Sequence, residues 1–331
     1  MTWLITGGAG YIGAHVVEAM RADGESVVVL DDLSTGVATR LGADVPLVTG
    51  SVLDRPLLDA ALARHAVTGV VHLAAKKRVG DSVAEPLLYY RENVHGLTVL
   101  LDAVAAAGVR RFVFSSSAAV YGTPDGGDGG VPDLVTERSP CQPVSPYGET
   151  KLAGEWLVRA AGRAHGIATV CLRYFNVAGA ARPELADAGA ANVIPMFFER
   201  ITRGERPEIF GDDYPTPDGT CVRDYVHVAD LARAHLVAAR HLAAPAAGAA
   251  GDLTVNVGTG RGVSVRELAE LVAEVTGHPE LTPRVAARRP GDPARVVASA
   301  DLARERLGFT AERALGEMVA SAWDGWRLLH P

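Results

Sequence analysis

Thr6-Gly7-Gly8-Ala9-Gly10-Tyr11-Ile12-Gly13 lies between a short apolar run, Trp3–Thr6, and an amphipathic stretch, Tyr11–Ala22. Gly7, Gly10 and Gly13 make a G-x-x-G-x-x-G spacing at a strand-to-helix turn. Glycine lets such a turn tighten and lets a pyrophosphate approach the backbone at the helix N-terminus. Glycines also mark ordinary turns, so the context matters. The next apolar run, Ser26–Leu30, ends on Asp31-Asp32. A carboxylate at that strand end accepts hydrogen bonds from an adenosine ribose and repels a 2′-phosphate. The combination predicts a site for NAD rather than NADP.

Working outward, apolar runs alternate with helical patterns through the first half of the chain. Candidate strands are Trp3–Thr6, Ser26–Leu30, Pro46–Val48, Gly69–Leu73, Arg111–Ser115 and Ala168–Leu172. Between them, Tyr11–Ala22, Pro86–Ala107 and Gly148–His165 carry apolar residues at three- and four-residue spacing, as helices covering a sheet require. The pattern predicts an α/β fold, a doubly wound parallel sheet of Rossmann type. After Asn176 proline and glycine become frequent, and the helical patterns are Ser264–Thr276, Ala300–Leu307 and Leu315–Leu328. We therefore expect a dinucleotide-binding domain over residues 1–176 and a smaller C-terminal substrate lobe over 177–331, with some chain returning to the first domain. Asp125–Gly130 is expected to be a surface loop.

Composition narrows the class. The chain has 331 residues, 48% of them apolar, and a net charge of -7. Its basic residues occur in pairs such as Arg288-Arg289, which does not suit a nucleic-acid partner. Three scattered cysteines, Cys141, Cys171 and Cys221, do not make a disulfide framework or a zinc site. No metal is expected, and His72 and His227 read as packing residues. No run has the length of a membrane span, and Met1–Gly7 lacks a signal-peptide core. The expectation is a cytoplasmic protein without a membrane partner.

Tyr147 and Lys151 are four apart in a predicted helix, so they share one face. A phenol ionises near pKa ~10 and is a poor base at neutral pH. A neighbouring ammonium, with the positive charge of bound NAD+, is expected to lower that value. The pair then suits removal of an alcohol proton while hydride leaves the same carbon. Most Y-x-x-x-K pairs are a solvated helix face. This one gains weight from Ser115-Ser116-Ser117 at a predicted strand end, where a hydroxyl can bridge substrate and tyrosine oxygens.

The glycine turn with Ser117, Tyr147 and Lys151 in this order resembles the extended short-chain dehydrogenase/reductase family. Longer strings are more specific: Leu73-Ala74-Ala75-Lys76-Lys77, Phe114–Gly122, Ser145-Pro146-Tyr147-Gly148, Leu172-Arg173-Tyr174-Phe175-Asn176 and, above all, Ile209–His227. These are similar to the UDP-glucose 4-epimerases of that family, from about Thr2 to Trp326. The resemblance implies interconversion of UDP-galactose and UDP-glucose by transient oxidation at sugar carbon 4, with NAD retained. It also implies a homodimer through Pro86–Ala107 and Gly148–His165.

Roles follow by resemblance, position by position. Tyr147 is the base, Lys151 holds the nicotinamide ribose, and Ser117 hydrogen-bonds the sugar. Gly7, Gly10, Tyr11, Ile12, Gly13, Asp31, Asp32, Leu33, Ser51, Val52, Leu73, Ala74, Ala75, Lys77, Asn93 and Phe175 match cofactor positions. Lys77, Asn176, Asn192, Val193, Ile209, Phe210, Arg223, Arg289 and Asp292 match positions that grip the UDP-sugar. Val296 matches the wall of the sugar pocket, where a residue smaller than tyrosine leaves room for an N-acetyl group. Two positions depart from the pattern: Ser51 stands where an aspartate often meets the adenine, and Glu92 where an asparagine often meets the cofactor.

Three other readings compete. A 4,6-dehydratase needs an acid–base pair after the active-site hydroxyl, and here those positions are Ala118-Ala119. A net UDP-sugar dehydrogenase or decarboxylase shares the hydride step and differs in consuming free NAD+. A non-catalytic NAD-sensing regulator typically lacks the tyrosine that this chain keeps.

Overall fold

Strand β1 (Thr2–Thr6) is buried on both faces. Trp3 and Ile5 enter one apolar cluster with Val16, Val17 and Met20, while Leu4 enters another with Leu97, Leu100 and Val104. Strand β2 (Ser26–Asp31) repeats this, with Val27 and Val29 on the first side and Val28 and Leu30 on the second. Alternation with both faces apolar is what a parallel sheet between two helix layers demands. The computed structural model describes residues 1–124, 133–189, 192–243, 252–289 and 291–331. The expected Asp125–Gly130 loop lies outside the described residues.

The sheet continues with β3 (Leu47–Thr49), β4 (Gly69–His72), β5 (Arg111–Ser117) and β6 (Ala168–Tyr174). Six of its strands match the six expected runs, shifted or extended by a residue or two at their ends. The later part of the chain adds β7 (Asn176–Ala178), β8 (Glu208–Phe210), β9 (Val222–His227), β10 (Leu253–Val257), β11 (Gly262–Ser264), β12 (Arg284–Ala286) and β13 (Arg295–Val296). The central sheet is seven-stranded and parallel, in the order β10-β6-β5-β4-β1-β2-β3. The order reverses between β1 and β4, and a ligand crevice opens outside the carboxyl ends of strands at such a point.

Helix Tyr11–Ala22 falls where the spacing put it. The expected Pro86–Ala107 helix is instead broken into Pro86–Tyr89, a wide π-helical turn at Tyr90–His95, and Gly96–Ala106. The turn directs Asn93 inward: its amide accepts from Lys76 N and donates to Lys76 O and Thr150 Oγ1. Four further helices carry weaker sequence signals: Arg55–Arg64, Val79–Ala84, Val193–Thr202 and Val228–Ala243. Val228–Ala243 packs against Tyr11–Ala22, and the strand after it, β10, pairs with β6. That stretch beyond residue 176 thus lies on the central sheet.

The lobe holds two small sheets, β11-β9-β13 with β7 beside β9, and β12-β8. Its core gathers Ile194, Phe197, Phe198, Leu268, Met318 and Trp326. A smaller cluster of Val120, Tyr121, Leu152, Phe175 and Val296 joins it to the sheet. No helix among the described residues is long and apolar enough to cross a membrane.

Candidate active site

The glycine turn is shaped by close approach. Gly7 has φ +74°, and a Cβ on it would sit 2.7 Å from Ala74 N. A Cβ on Gly13 would collide with the Gly7 carbonyl oxygen. Helix Tyr11–Ala22 begins at Gly10 without a side-chain cap or an acidic first turn, and Ala14 N is the first amide to bond within it, to Gly10 O. The amides of Tyr11, Ile12 and Gly13 face outward at the positive end of the helix. This cradle fits a dinucleotide pyrophosphate.

Asp31 ends β2 beside it. Its Oδ2 accepts from Ala9 N and its Oδ1 from Leu33 N, each at 2.9 Å, so the carboxylate is buried but keeps lone pairs for a ribose diol. Asp32 is exposed and accepts from Ser34 N. Ser51 Oγ accepts from Leu53 N, and Val52 is buried below it. Across the switch point, Leu73 N and Ala74 N both donate to Thr6 O, which brings the Leu73–Lys77 segment against the glycine turn. Asn93 spends its amide on that segment and on Thr150, and so fixes Lys76 at the edge of the cofactor groove.

Ser145 Oγ accepts from Gly148 N and starts helix Pro146–His165, with Pro146 at its first position. Two glycines press this helix onto β5 and the turn that follows it: a Cβ on Gly148 would lie 2.6 Å from Ala119 O, and one on Gly154 2.5 Å from the Phe114 ring. Tyr147 is thereby held against the strand end that carries Ser117, close enough for the Ser117 hydroxyl to act on the phenol. Ser117 Oγ also accepts from Ala119 N. Lys151 is 3% exposed, its ammonium donating to Ser115 O at 2.9 Å and standing 6.0 Å from the centre of the Tyr147 ring. Glu155, one turn on, forms a buried two-point ion pair with Arg173 of β6 and accepts from Ser116 Oγ.

The expected lowering of the Tyr147 pKa combines Lys151 with the charge of bound NAD+; the packing around the phenol acts in the other direction. Burial pushes the Tyr147 phenol above its ordinary value, opposed by the Ser117 hydrogen bond. Burial alone pushes Lys151 down to about 8. Tyr89 adds a smaller upward push, and Lys151 is not among the groups that shift the phenol.

Tyr147 and Ser117 open into a cleft of about 920 Å³ between sheet and lobe. Tyr11, Ile12, Lys77, Phe175, Asn176, Asn192, Val193, Ile209, Phe210, Arg223, Arg289, Asp292 and Val296 also line it. Gly7, Gly10, Gly13, Asp31, Asp32, Leu33, Ser51, Val52, Leu73, Ala74, Ala75, Asn93 and Lys151 do not; most lie along the carboxyl ends of β1 to β4. Within the cleft Arg289 stacks 3.8 Å over Phe210, and Arg223 reaches Asp292 at 3.5 Å. Asn192 donates to Asp187, a lining residue with no sequence signal, and Asn176 to Asp224 O. Tyr174 and Ser145 also line the cleft; both stand inside the strings quoted above and could have been named there. Among the described residues no His, Cys, Asp or Glu cluster could hold a metal ion.

Comparison with known proteins gives consistent relatives. A profile of the NAD dependent epimerase/dehydratase family matches residues 3–258. A UDP-glucose 4-epimerase of Azospirillum brasilense is 46% identical over 329 residues, 97% of this chain and 91% of that protein. The crystal structure of UDP-glucose 4-epimerase from Brucella ovis in complex with NAD superposes with a TM-score of 0.91 at 38% identity, covering 98% of each chain. That from Bifidobacterium longum in complex with NAD+ and UDP gives 0.89 at 34%, covering 100% of this chain and 99% of that one. With the glycine cradle, the Ser117–Tyr147–Lys151 arrangement and relatives matching along its whole length, this chain belongs to the NAD dependent epimerase/dehydratase family.

Proposed function

We propose that this protein is a cytoplasmic UDP-glucose 4-epimerase, interconverting UDP-galactose and UDP-glucose with NAD held in the groove above β1 and β4. The observation that carries the reading is the meeting of the Ser117–Tyr147 hydroxyl pair with Arg223, Arg289 and Asp292 in one cleft. Arginines neutralise a diphosphate, and a carboxylate accepts from ribose hydroxyls. Phe210, under Arg289, offers a flat apolar face to a uracil ring.

Bound NAD supplies the hydride acceptor, and in the return half the donor, at sugar carbon 4. The chain's own residues manage the proton and the pose. Tyr147 Oη takes the 4-hydroxyl proton and gives it back, with Ser117 Oγ bridging sugar and phenol. Lys151 holds the nicotinamide ribose and contributes positive charge near Tyr147. Asp31 accepts from the adenosine ribose, and the amides of Tyr11 and Ile12 meet the pyrophosphate. Ala118 and Ala119, beside Ser117, cannot transfer protons, so water elimination lacks an acid–base pair there. Val296 leaves space for an acetamide, which supports a second substrate pair, the N-acetylated UDP-hexoses.

The partner is a second copy of the chain. Leu87 is 84% exposed and Trp156 58% exposed, on the two helical stretches where the family resemblance puts a homodimer contact. Light scattering should give twice the monomer mass. For the activity, purified protein is incubated with UDP-galactose without added NAD. UDP-glucose should form catalytically with bound NAD unchanged in amount. Stoichiometric NADH accumulation with an oxidised sugar would overturn the reading in favour of a net dehydrogenase.

A further inference from the structure

The chain contains 32 basic residues, of which only Lys76, Lys77 and Lys151 are lysines. All three stand at the dinucleotide groove or its mouth. Lys77 turns into the substrate cleft and Lys151 is buried beneath Tyr147. Lys76 does neither. Its backbone is pinned on both sides by Asn93, N to Oδ1 at 2.8 Å and O to Nδ2 at 3.0 Å. Its ammonium reaches across to Ser34, 3.2 Å from Oγ. Among the described residues no carboxylate lies within ion-pair range of it.

Ser34 belongs to the loop after β2, on the far side of the groove. That loop is tied to the glycine turn, since Val37 N donates to Ala9 O and Asp31 Oδ2 accepts from Ala9 N. The Leu73–Lys77 segment is tied to the same turn through Thr6 O. The Lys76–Ser34 contact therefore bridges the two walls that flank the outward amides of Tyr11 and Ile12. A cation whose only partner is a neutral hydroxyl is under-compensated, and a pyrophosphate on those amides supplies the missing charge.

We propose that Lys76 is a further cofactor-holding residue, a cationic strap that closes with Ser34 across the dinucleotide groove and slows release of a bound dinucleotide diphosphate. The proposal rests on the NAD reading of the groove. An epimerase that returns hydride to the same sugar loses its turn if the reduced cofactor leaves, so a strap of this kind serves the proposed reaction directly.

The test measures cofactor release from purified holoprotein, apart from turnover. Bound NAD is followed over time by rapid desalting into buffer containing charcoal, for the unaltered protein, Lys76→Leu, Lys76→Arg and Ser34→Ala. A charge-assisted contact predicts release about 10-fold faster or more for Lys76→Leu, a smaller change for Ser34→Ala, and near-native retention for Lys76→Arg. Added salt should speed release from the unaltered protein more than from Lys76→Leu. Lys76→Leu that holds NAD as long as the unaltered protein would overturn the strap and leave the NAD reading standing. Unaltered protein that neither carries nor takes up NAD would overturn both.

Discussion

Gly148→Ala isolates the packing that positions the proposed base. A Cβ at this position would stand 2.6 Å from Ala119 O and 3.0 Å from Pro143 Cβ. Ordinary contact is ~3.5 Å, so the first turn of helix Pro146–His165 has to move away from Ala119 by about 1 Å. The partner atom is backbone in the turn that follows Ser117, and it cannot swing aside as a side-chain tip would. Tyr147 is the adjacent residue and moves with the turn, opening its contact with Ser117. Two effects compete in stability: alanine favours a helix over glycine by roughly 0.5–1 kcal/mol, and the displacement costs roughly 1–3 kcal/mol. Stability should therefore fall by about 1–2 kcal/mol, which leaves the protein folded. Catalysis has no such compensation, because a misplacement of ~1 Å costs about 100-fold. The assay is epimerisation of UDP-galactose at saturation, alongside thermal melting and bound NAD content. We expect a fall in kcat of about that size with a cooperative melt and the NAD content retained. A Gly148→Ala protein turning over within threefold of the unaltered one would refute the claim that this glycine sets the Tyr147–Ser117 contact.

Four further outcomes follow from the geometry. Tyr147→Phe keeps the ring and removes the acid–base oxygen, so turnover should fall ~10²- to 10⁴-fold with NAD still bound; near-native epimerisation would remove Tyr147 from its role. Asp31→Ala loses the acceptor of Ala9 N and Leu33 N as well as the 2′-phosphate-repelling charge, so NAD affinity should drop and discrimination against NADP relax; unaltered protein isolated with NADP would contradict this. Val296→Tyr should exclude UDP-N-acetylgalactosamine and spare UDP-galactose, because a clash in a closed pocket is not cheaply relieved; a variant handling both sugars equally, or an unaltered protein confined to the plain hexose, counts against it. Burial pushes His72 down to about 3, and His15, His227 and His235 to about 4. The unfolded chain binds protons from pH ~6.5 downward, so the folded state loses stability as pH falls through the window from there toward those values. The slope is up to about 1.4 kcal/mol per pH unit for each imidazole, and melts at pH 7, 6 and 5 that superimpose would refute it.

Much of the first half was legible because its signals are local. The glycine spacing, the short apolar runs of β1 and β2 and the four-residue step from Tyr147 to Lys151 are each written within a dozen residues. What they predict depends only on backbone geometry over one or two turns. Helix Tyr11–Ala22 came out at the expected residues for that reason. Val193–Thr202 and Val228–Ala243 lack such marks: the first carries Pro195 in a proline-rich stretch, and the second follows β9 with no residue between them. The break at Tyr90–His95 had no local mark, since the turn widens to bring Asn93 to Lys76, seventeen residues away.

The site itself divides along the same line. By itself the sequence determined the strand-to-helix cradle, the carboxylate at the end of β2 and the identity of the hydroxyl–phenol–lysine set. Only the tertiary structure decided that Arg223, Arg289, Asp292 and Val296 share one cleft with Tyr147. Their meeting depends on β13 pairing with β9 across some seventy residues, and on β10 returning to β6. It also decided the sign of the Tyr147 shift. The sequence spacing puts a lysine one turn from the phenol, but burial sets how strongly that charge is felt and how much the phenolate costs. Desolvation depends on everything packed around a group, and so appears only once the chain has folded.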